Sequence, residues 1–339
     1  MKNNSCKQGV THGFKRVLTS ALCFAAFAST SAMVYADEVW PEPGKTIRIV
    51  VPFPAGSGSD SLARLLASKV TAQTGAPVVI DNKPGGGTTI GAQEVARAQP
   101  DGNTLLYTIV VTHTQNPHLY KKLPYDPFKD FTPIMQAVRS ATVLVANKDV
   151  PFNTTEEMVA YAKANPGKLN YASFSPGSTS HLNGEILKMQ TGADIVHIPY
   201  KGTADATLAL YAGDVQIYFD GTSTAVQSAQ AGKVKVLGPA SDKRLSMIPD
   251  VPTLEEQGIT GLNIVGWQGL FAPGGVKPEK AERIATVFRN ALNTPEVMQV
   301  IQSQGNEVSG VGPKEYAEIV RRDYERWGDV IRKANLSLD

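Results

Sequence analysis

The chain is nearly free of cysteine: it has two in 339 residues, Cys6 and Cys23, both close to the start. A disulfide framework or thiolate metal site is therefore excluded from everything that follows them. Neither sign of charge dominates, with 33 basic and 31 acidic side chains. Without a basic surplus to displace counterions, nucleic acid is not an expected partner. No apolar run beyond residue 36 approaches the roughly 20 residues that cross a bilayer. Internal repeats and low-complexity segments are also missing.

The motifs of common chemistries are absent as well. No Gly-x-Ser-x-Gly elbow surrounds Ser57, Ser178 or Ser180, and His181, next to Ser180 in sequence, does not face it on a helix. His113, His118, His181 and His197 have no His-x-x-x-His spacing, so no metal site is expected. Gly56-Ser57-Gly58 would need a third glycine where Ser61 stands to bind a dinucleotide. Neither that turn nor Lys83-Pro84-Gly85-Gly86-Gly87-Thr88-Thr89 has the Gly-Lys-Ser/Thr of a phosphate loop. No cofactor is expected.

What is present begins with a leader. Lys2, Lys7, Lys15 and Arg16 make a basic start, Val17 to Ala28 is apolar, and Val34-Tyr35-Ala36 has the form of a cleavage site. Residues 1–36 therefore read as a signal peptide, cleaved after about Ala36. Ser20-Ala21-Leu22 suits lipid attachment at Cys23 poorly. Removing the leader's four basic residues turns the formal charge from +2 to −2. An exported, near-neutral chain of about 300 residues without cysteine reads as a protein of a bacterial periplasm, and its length predicts two lobes.

The most telling stretch is Pro52-Phe53-Pro54-Ala55-Gly56-Ser57-Gly58-Ser59-Asp60, between the strand-like run Ile47 to Val51 and a helical pattern with Leu62, Leu65, Leu66 and Val70. A strand that enters a helix through a glycine-rich turn leaves backbone N–H groups unpaired at the positive end of the helix dipole, a site for a small anion. Three later junctions match it: Val111 to Pro117, Ser175 to His181, and Pro199 to Thr203. Loops of this kind collect outside the carboxyl ends of parallel strands, where ligands bind. Lys201 is the only cation in these turns, so fixed dipoles are expected to hold a carboxylate.

Eight strands are expected: Ile47–Val51, Val78–Asp81, Thr104–Thr108, Val143–Ala146, Leu169–Tyr171, Ile195–Ile198, Val215–Phe219 and Val234–Leu237. Helices are expected to begin near Ser59, Thr88, Thr154, Ser178, Thr203, Thr222, Pro278, Pro295 and Pro313. The alternation predicts an α/β fold of parallel sheets covered on both faces. An irregular stretch from Thr112 to Pro133 and the run Val265 to Phe271 are the candidate crossings between lobes. They divide the chain into 37–142, 143–264, and a return through 265–339. Several residues keep two readings. His197 reads as a hydrogen-bonded core residue, and His113 as ligand contact or plain loop. Asp220 either accepts from a ligand or caps the helix near Thr222. Phe53 and Trp267 are either cleft walls or core.

An ordered set of segments resembles a known family. It runs through Ile47-Arg48-Ile49-Val50-Val51-Pro52-Phe53-Pro54-Ala55-Gly56, Asn82-Lys83-Pro84-Gly85, Ala98-Gln99-Pro100-Asp101-Gly102 and Asn116-Pro117-His118-Leu119-Tyr120. It continues with Pro199-Tyr200-Lys201-Gly202, Ala212-Gly213-Asp214-Val215-Gln216, Pro249-Asp250-Val251-Pro252-Thr253 and Trp267-Gln268-Gly269-Leu270. Together these resemble the periplasmic solute-binding receptors of tripartite tricarboxylate transporters, the Bug proteins. The resemblance implies a type II-like, two-lobed periplasmic binding protein. Each lobe would be a mostly parallel sheet flanked by helices, with a hinge between the lobes. It further implies a non-enzymatic monomer that closes on a small carboxylate, aliphatic or aromatic, and delivers it to membrane transporter components. The first lobe would bind through Phe53, Ala55, Gly56, Ser57, Ser59 and Asp60, with Thr112 and His113. The second would use Gly177, Ser178, Thr179 and His181, with Lys201, Gly202, Thr203 and Asp220. Ser57, Ser59 and the bulky Thr108-Ile109-Val110-Val111 depart from the family pattern, the latter toward a more apolar pocket. An exported α/β enzyme using a loop serine on a small acid, or a sensor's binding subunit, are the alternatives.

Overall fold

The computed structural model describes residues 40–338; the expected signal peptide and both cysteines lie outside them. The first sheet contains β1 (Ile47–Val51), β2 (Val78–Asn82), β3 (Thr104–Ile109) and β4 (Phe131–Ser140). The second contains β5 (Thr142–Asn147), β6 (Leu169–Ser173), β7 (Ile195–Pro199), β8 (Ile217–Gly221) and β9 (Val234–Ala240). The chain then returns to the first sheet as β10 (Gly266–Pro273) and β11 (Glu307–Val311). The strand orders are β11-β4-β10-β3-β1-β2 and β7-β6-β8-β5-β9.

Each sheet is built on a parallel trio. β2, β1 and β3 run together in the first, and β7, β6 and β8 in the second. β1 shows why: in Ile-Arg-Ile-Val-Val only Arg48 escapes full burial, as a parallel strand covered on both faces requires. The chain changes sheet at Ala141, between β4 and β5, and returns after β9 through residues 241–265. Both arriving strands, β5 and β10, lie antiparallel to their new neighbours. The result is an α/β fold of two lobes, each a mixed sheet flanked by helices.

Two expectations need correction. The stretch read as irregular contains a single wide turn, Val111–Gln115, a short helix, Asn116–Leu119, and the start of β4. The run read as a crossing is β10, in the middle of the first sheet. Both strands contain a residue unusual in a sheet interior. Pro133 pairs with Phe271 at a break in register, where its missing N–H is tolerated. Gly269 sits under the Tyr316 hydroxyl and the Met135 carbonyl, which leave no room for a side chain.

Helices follow local rules. Gly58–Thr74 buries Leu62, Ala63, Leu66, Ala67 and Val70, and ends at Gly75 in the left-handed region (φ 73°). Pro313–Lys333 starts on its proline and buries Tyr316, Val320, Trp327 and Ile331 against the first sheet. Of the two expected capping boxes, Thr154 caps its helix while Glu157 accepts from the Asn153 N–H instead of that of Thr154, and Thr253 and Glu256 bond reciprocally (3.0 and 2.7 Å) over a turn rather than a helix. Among the described residues no helix is long and apolar enough to cross a membrane.

Candidate binding cleft

The carboxyl ends of strands from both sheets rim a cleft of about 550 Å³. The first lobe lines it with Ser57, Gly58 and Ser59, with Ile109 and Val110 beyond β3, and with Trp267 and Gln268 of β10. The second contributes Phe174, Thr179, Thr203, Tyr218, Phe219 and the run Gly221 to Thr224. None of the lining side chains carries a formal charge.

Four helices begin at this cleft: Gly58–Thr74, Thr179–Thr191, Thr203–Ala212 and Thr222–Gln230. Each start exposes up to four N–H groups that the helix cannot satisfy. Two of the starts are occupied by their own caps. The Ser57 hydroxyl accepts from the Asp60 N–H (3.2 Å), and the Ser178 hydroxyl from that of His181 (3.4 Å). The other two start from Gly202 and Gly221 and have no side-chain cap. Gly202, at φ 112° and ψ 169°, holds a conformation open to glycine and strained for any other residue. The second lobe thus presents two uncapped positive dipole ends to the cleft.

The expected site residues divide into three groups. Ser57, Ser59, Thr179 and Thr203 line the cleft together. A second group supports those loops. Asp60, 2% exposed, accepts from the Gly56 N–H (2.8 Å), Arg64 (2.9 Å) and Asn82 (2.8 Å). Burial pushes its carboxyl up, but these bonds outweigh it and hold it below the usual carboxylate range. Gly177 donates its N–H to Nδ1 of His181 (3.0 Å), whose ring stacks on His197 at 3.8 Å. His197 Nε2 meets the Ser173 hydroxyl (2.7 Å), so the residue is hydrogen-bonded as expected, but on the edge strand β7 it is only half-buried and not part of the core. Gly202 is the N-cap of its helix, and Ser178 of the helix after β6.

The third group lies away from the lining. Ala55, Gly56 and Lys201 are exposed outside it, and Phe53 packs against the first lobe's core. Thr112 is fully buried, its hydroxyl shared with Thr108 (2.6 Å) and Thr88 (2.7 Å). His113 is fully buried and stacks on Phe271 at 3.7 Å; burial lowers its pKa to about 3, so the ring is neutral. Asp220 is not the cap expected of it, since Gly221 takes that position. It accepts from the Gly221 N–H (2.7 Å) and the Thr207 hydroxyl (3.4 Å), and burial raises its pKa to about 6. Trp267 satisfies both of its readings: it is 2% exposed within the core and also a wall of the cleft. Its indole N–H donates to Asp323 (3.0 Å).

The sequence reading missed Phe174, Tyr218, Gln268 and Ser223-Thr224. Asp220-Gly221-Thr222-Ser223-Thr224 is the same strand, polar turn and helix pattern as the other junctions, and could have been counted with them. A second cavity of about 430 Å³ lies against β4, β11 and the last helix. Its Arg139 and Arg322 are already engaged with Asp242, Glu307 and Asp323, so it offers no free cation on those two side chains.

A two-lobed α/β scaffold with helix starts of both lobes on one uncharged cleft defines a solute-binding protein. Residues 62–336 match the family described as the tripartite tricarboxylate transporter family receptor, and the chain belongs to that family. It is 35% identical to a UPF0065 protein of Bordetella pertussis, over 95% of this chain and 97% of that one. A solved periplasmic transporter is 38% identical, with a TM-score of 0.76 over 88% of this chain and 99% of that one. An R. palustris protein solved with adipate is 30% identical (TM-score 0.77; 87% and 99% covered). MatC of Rhodopseudomonas palustris, solved with malate, is 33% identical (TM-score 0.73; 86% and 100% covered). Membership makes this chain a Bug-type receptor rather than an enzyme, which sets aside the hydrolase alternative.

Proposed function

We propose that the protein is a monomeric periplasmic receptor that captures a small carboxylate and delivers it to a tripartite tricarboxylate-type membrane transporter. The observation that carries this reading is the convergence of four helix N-termini, from both lobes, on one cleft without a charged side chain. Fixed dipoles replace the water shell of an anion at no cost in reorganisation, and they do so best once the cleft closes and excludes solvent. The two changes of sheet, at Ala141 and through residues 241–265, are where a hinge would act. Two relatives solved with adipate and with malate support a small carboxylate as the ligand.

The thermal unfolding of the purified protein against a panel of dicarboxylates, tricarboxylates, amino acids and aromatic acids tests the reading. A ligand at about 100 times its Kd stabilises the fold by about 2.7 kcal/mol, which raises Tm by several degrees. No shift with any acid would refute carboxylate capture, and turnover of a bound acid would contradict a receptor.

A further inference from the structure

Tyr218 on β8 is 0% exposed, lines the cleft, and its hydroxyl has no hydrogen-bond partner. It belongs to the same buried cluster as Ala206 and Leu210 of one uncapped helix and Ala225 of the other. Other buried tyrosines of this chain are satisfied. Tyr107 donates to Gln268 (3.2 Å), Tyr125 to the Thr112 carbonyl (2.6 Å) and Tyr171 to Glu185 (2.6 Å). Tyr316 also lacks a partner, but it does not line the cleft. A buried hydroxyl left unpaired is costly, and beside a binding cleft the missing partner is most simply the ligand.

Two features restrict what that partner can be. Burial, with the negative charge of Asp220 close by, keeps the phenol protonated, so Tyr218 is a donor. The same Asp220 would repel a second carboxylate placed there, and no lining residue is cationic to offset it. Ile109, Val110, Phe174, Phe219 and Trp267 give the cleft apolar walls, between polar but neutral groups such as Gln268, Gln304 and Asn306. Resting on the receptor reading above, we propose that Tyr218 determines specificity by donating its O–H to a neutral oxygen on the apolar body of a monocarboxylate. The ligand class is then an acid with one carboxylate, a hydrophobic frame, and one hydroxyl or carbonyl group remote from the carboxylate.

Matched pairs of acids test this by calorimetric titration: pentanoate with 4-oxopentanoate, and benzoate with 3- and 4-hydroxybenzoate, alongside adipate and malate. Wild type should bind the oxygen-bearing member of a pair about tenfold more tightly than its parent, the range of one buried hydrogen bond. Tyr218→Phe should erase that difference, leave the parent acid's affinity within about twofold, and leave Tm unchanged or raised, since it removes an unsatisfied hydroxyl. Equal affinity within each pair for wild type overturns the assignment without using any variant. So does an equal loss for both members in Tyr218→Phe. Preference for adipate or malate also overturns it while leaving the receptor reading intact. Binding of no acid at all overturns both.

Discussion

In the first lobe, the helix after β1 begins at a serine whose own hydroxyl closes its end. In the second, the helices after β7 and β8 begin at glycines that close nothing. The junctions look alike in sequence, and all reach the same cleft. Their chemistry differs because a capping oxygen competes with a ligand for the same N–H groups. Around Ser57 the competition is reinforced: the Asp60 carboxylate accepts from the preceding loop and is tied to Arg64 and Asn82. The first lobe therefore brings one closed helix start to the cleft, and the second, whose helix after β6 is likewise closed by Ser178, adds two open ones.

Asp60→Ala tests the closed first-lobe start and should have the largest effect. It removes the acceptor of the Gly56 N–H and of Arg64 Nε and one of the two acceptors of the Asn82 amide, and chemical denaturation should show a loss of about 2–3 kcal/mol. Retained stability would mean that the first-lobe turn is not held in this way. Proline at the first helical position deletes one N–H while keeping helical geometry, which gives a matched pair of variants. Thr203→Pro should weaken carboxylate binding about tenfold or more with little change in Tm. Gly58→Pro, following Ser57 at φ −65° and ψ 160°, should fold as well and cost less affinity. Equal losses for the two would abolish the distinction between the lobes.

The pH dependence of stability gives a smaller effect, in which the buried histidines and Asp220 act in opposite directions. His113 titrates near 3 when folded and near 6.5 when unfolded, so between these values the unfolded chain binds more protons. Its contribution is complete above pH 6.5 and is lost as pH falls toward 3; His197, lowered to about 4 by burial and by His181, adds to this loss. Asp220 runs the other way: raised to about 6, it binds its proton more tightly when folded, so its contribution falls as pH rises from about 3.8 through 6. Denaturation between pH 4 and 7 should show a flatter acid loss for His113→Phe and a steeper one for Asp220→Asn. Parallel curves would contradict these environments. The smallest effect concerns salt: donors that are backbone dipoles in a partly closed cleft predict only a modest loss of affinity from about 50 to about 500 mM salt. A steep loss would indicate lysine or arginine instead.

How much was legible in the sequence follows the same division. Short-range signals read well: the apolar run of β1, the proline starts of the last three helices, and the serine and threonine caps are local chemistry. β4 and β10 did not, because a proline and a glycine inside a strand, Pro133 and Gly269, are explained only by their partners across the sheet. Within the site, the polar turns could be found one at a time. Their division into capped and uncapped ends, and the burial of Thr112 and His113 behind the cleft, depend on contacts between residues far apart in the chain. Tyr218 stayed hidden because one tyrosine in an apolar strand carries no local mark of an unpaired hydroxyl.

A crystal structure of the protein with a tightly bound acid examines the main point most directly. The account predicts carboxylate oxygens about 3 Å from main-chain nitrogens at the starts of the helices Thr203–Ala212 and Thr222–Gln230. A carboxylate paired with a lysine or arginine side chain, or seated outside the cleft, would contradict it.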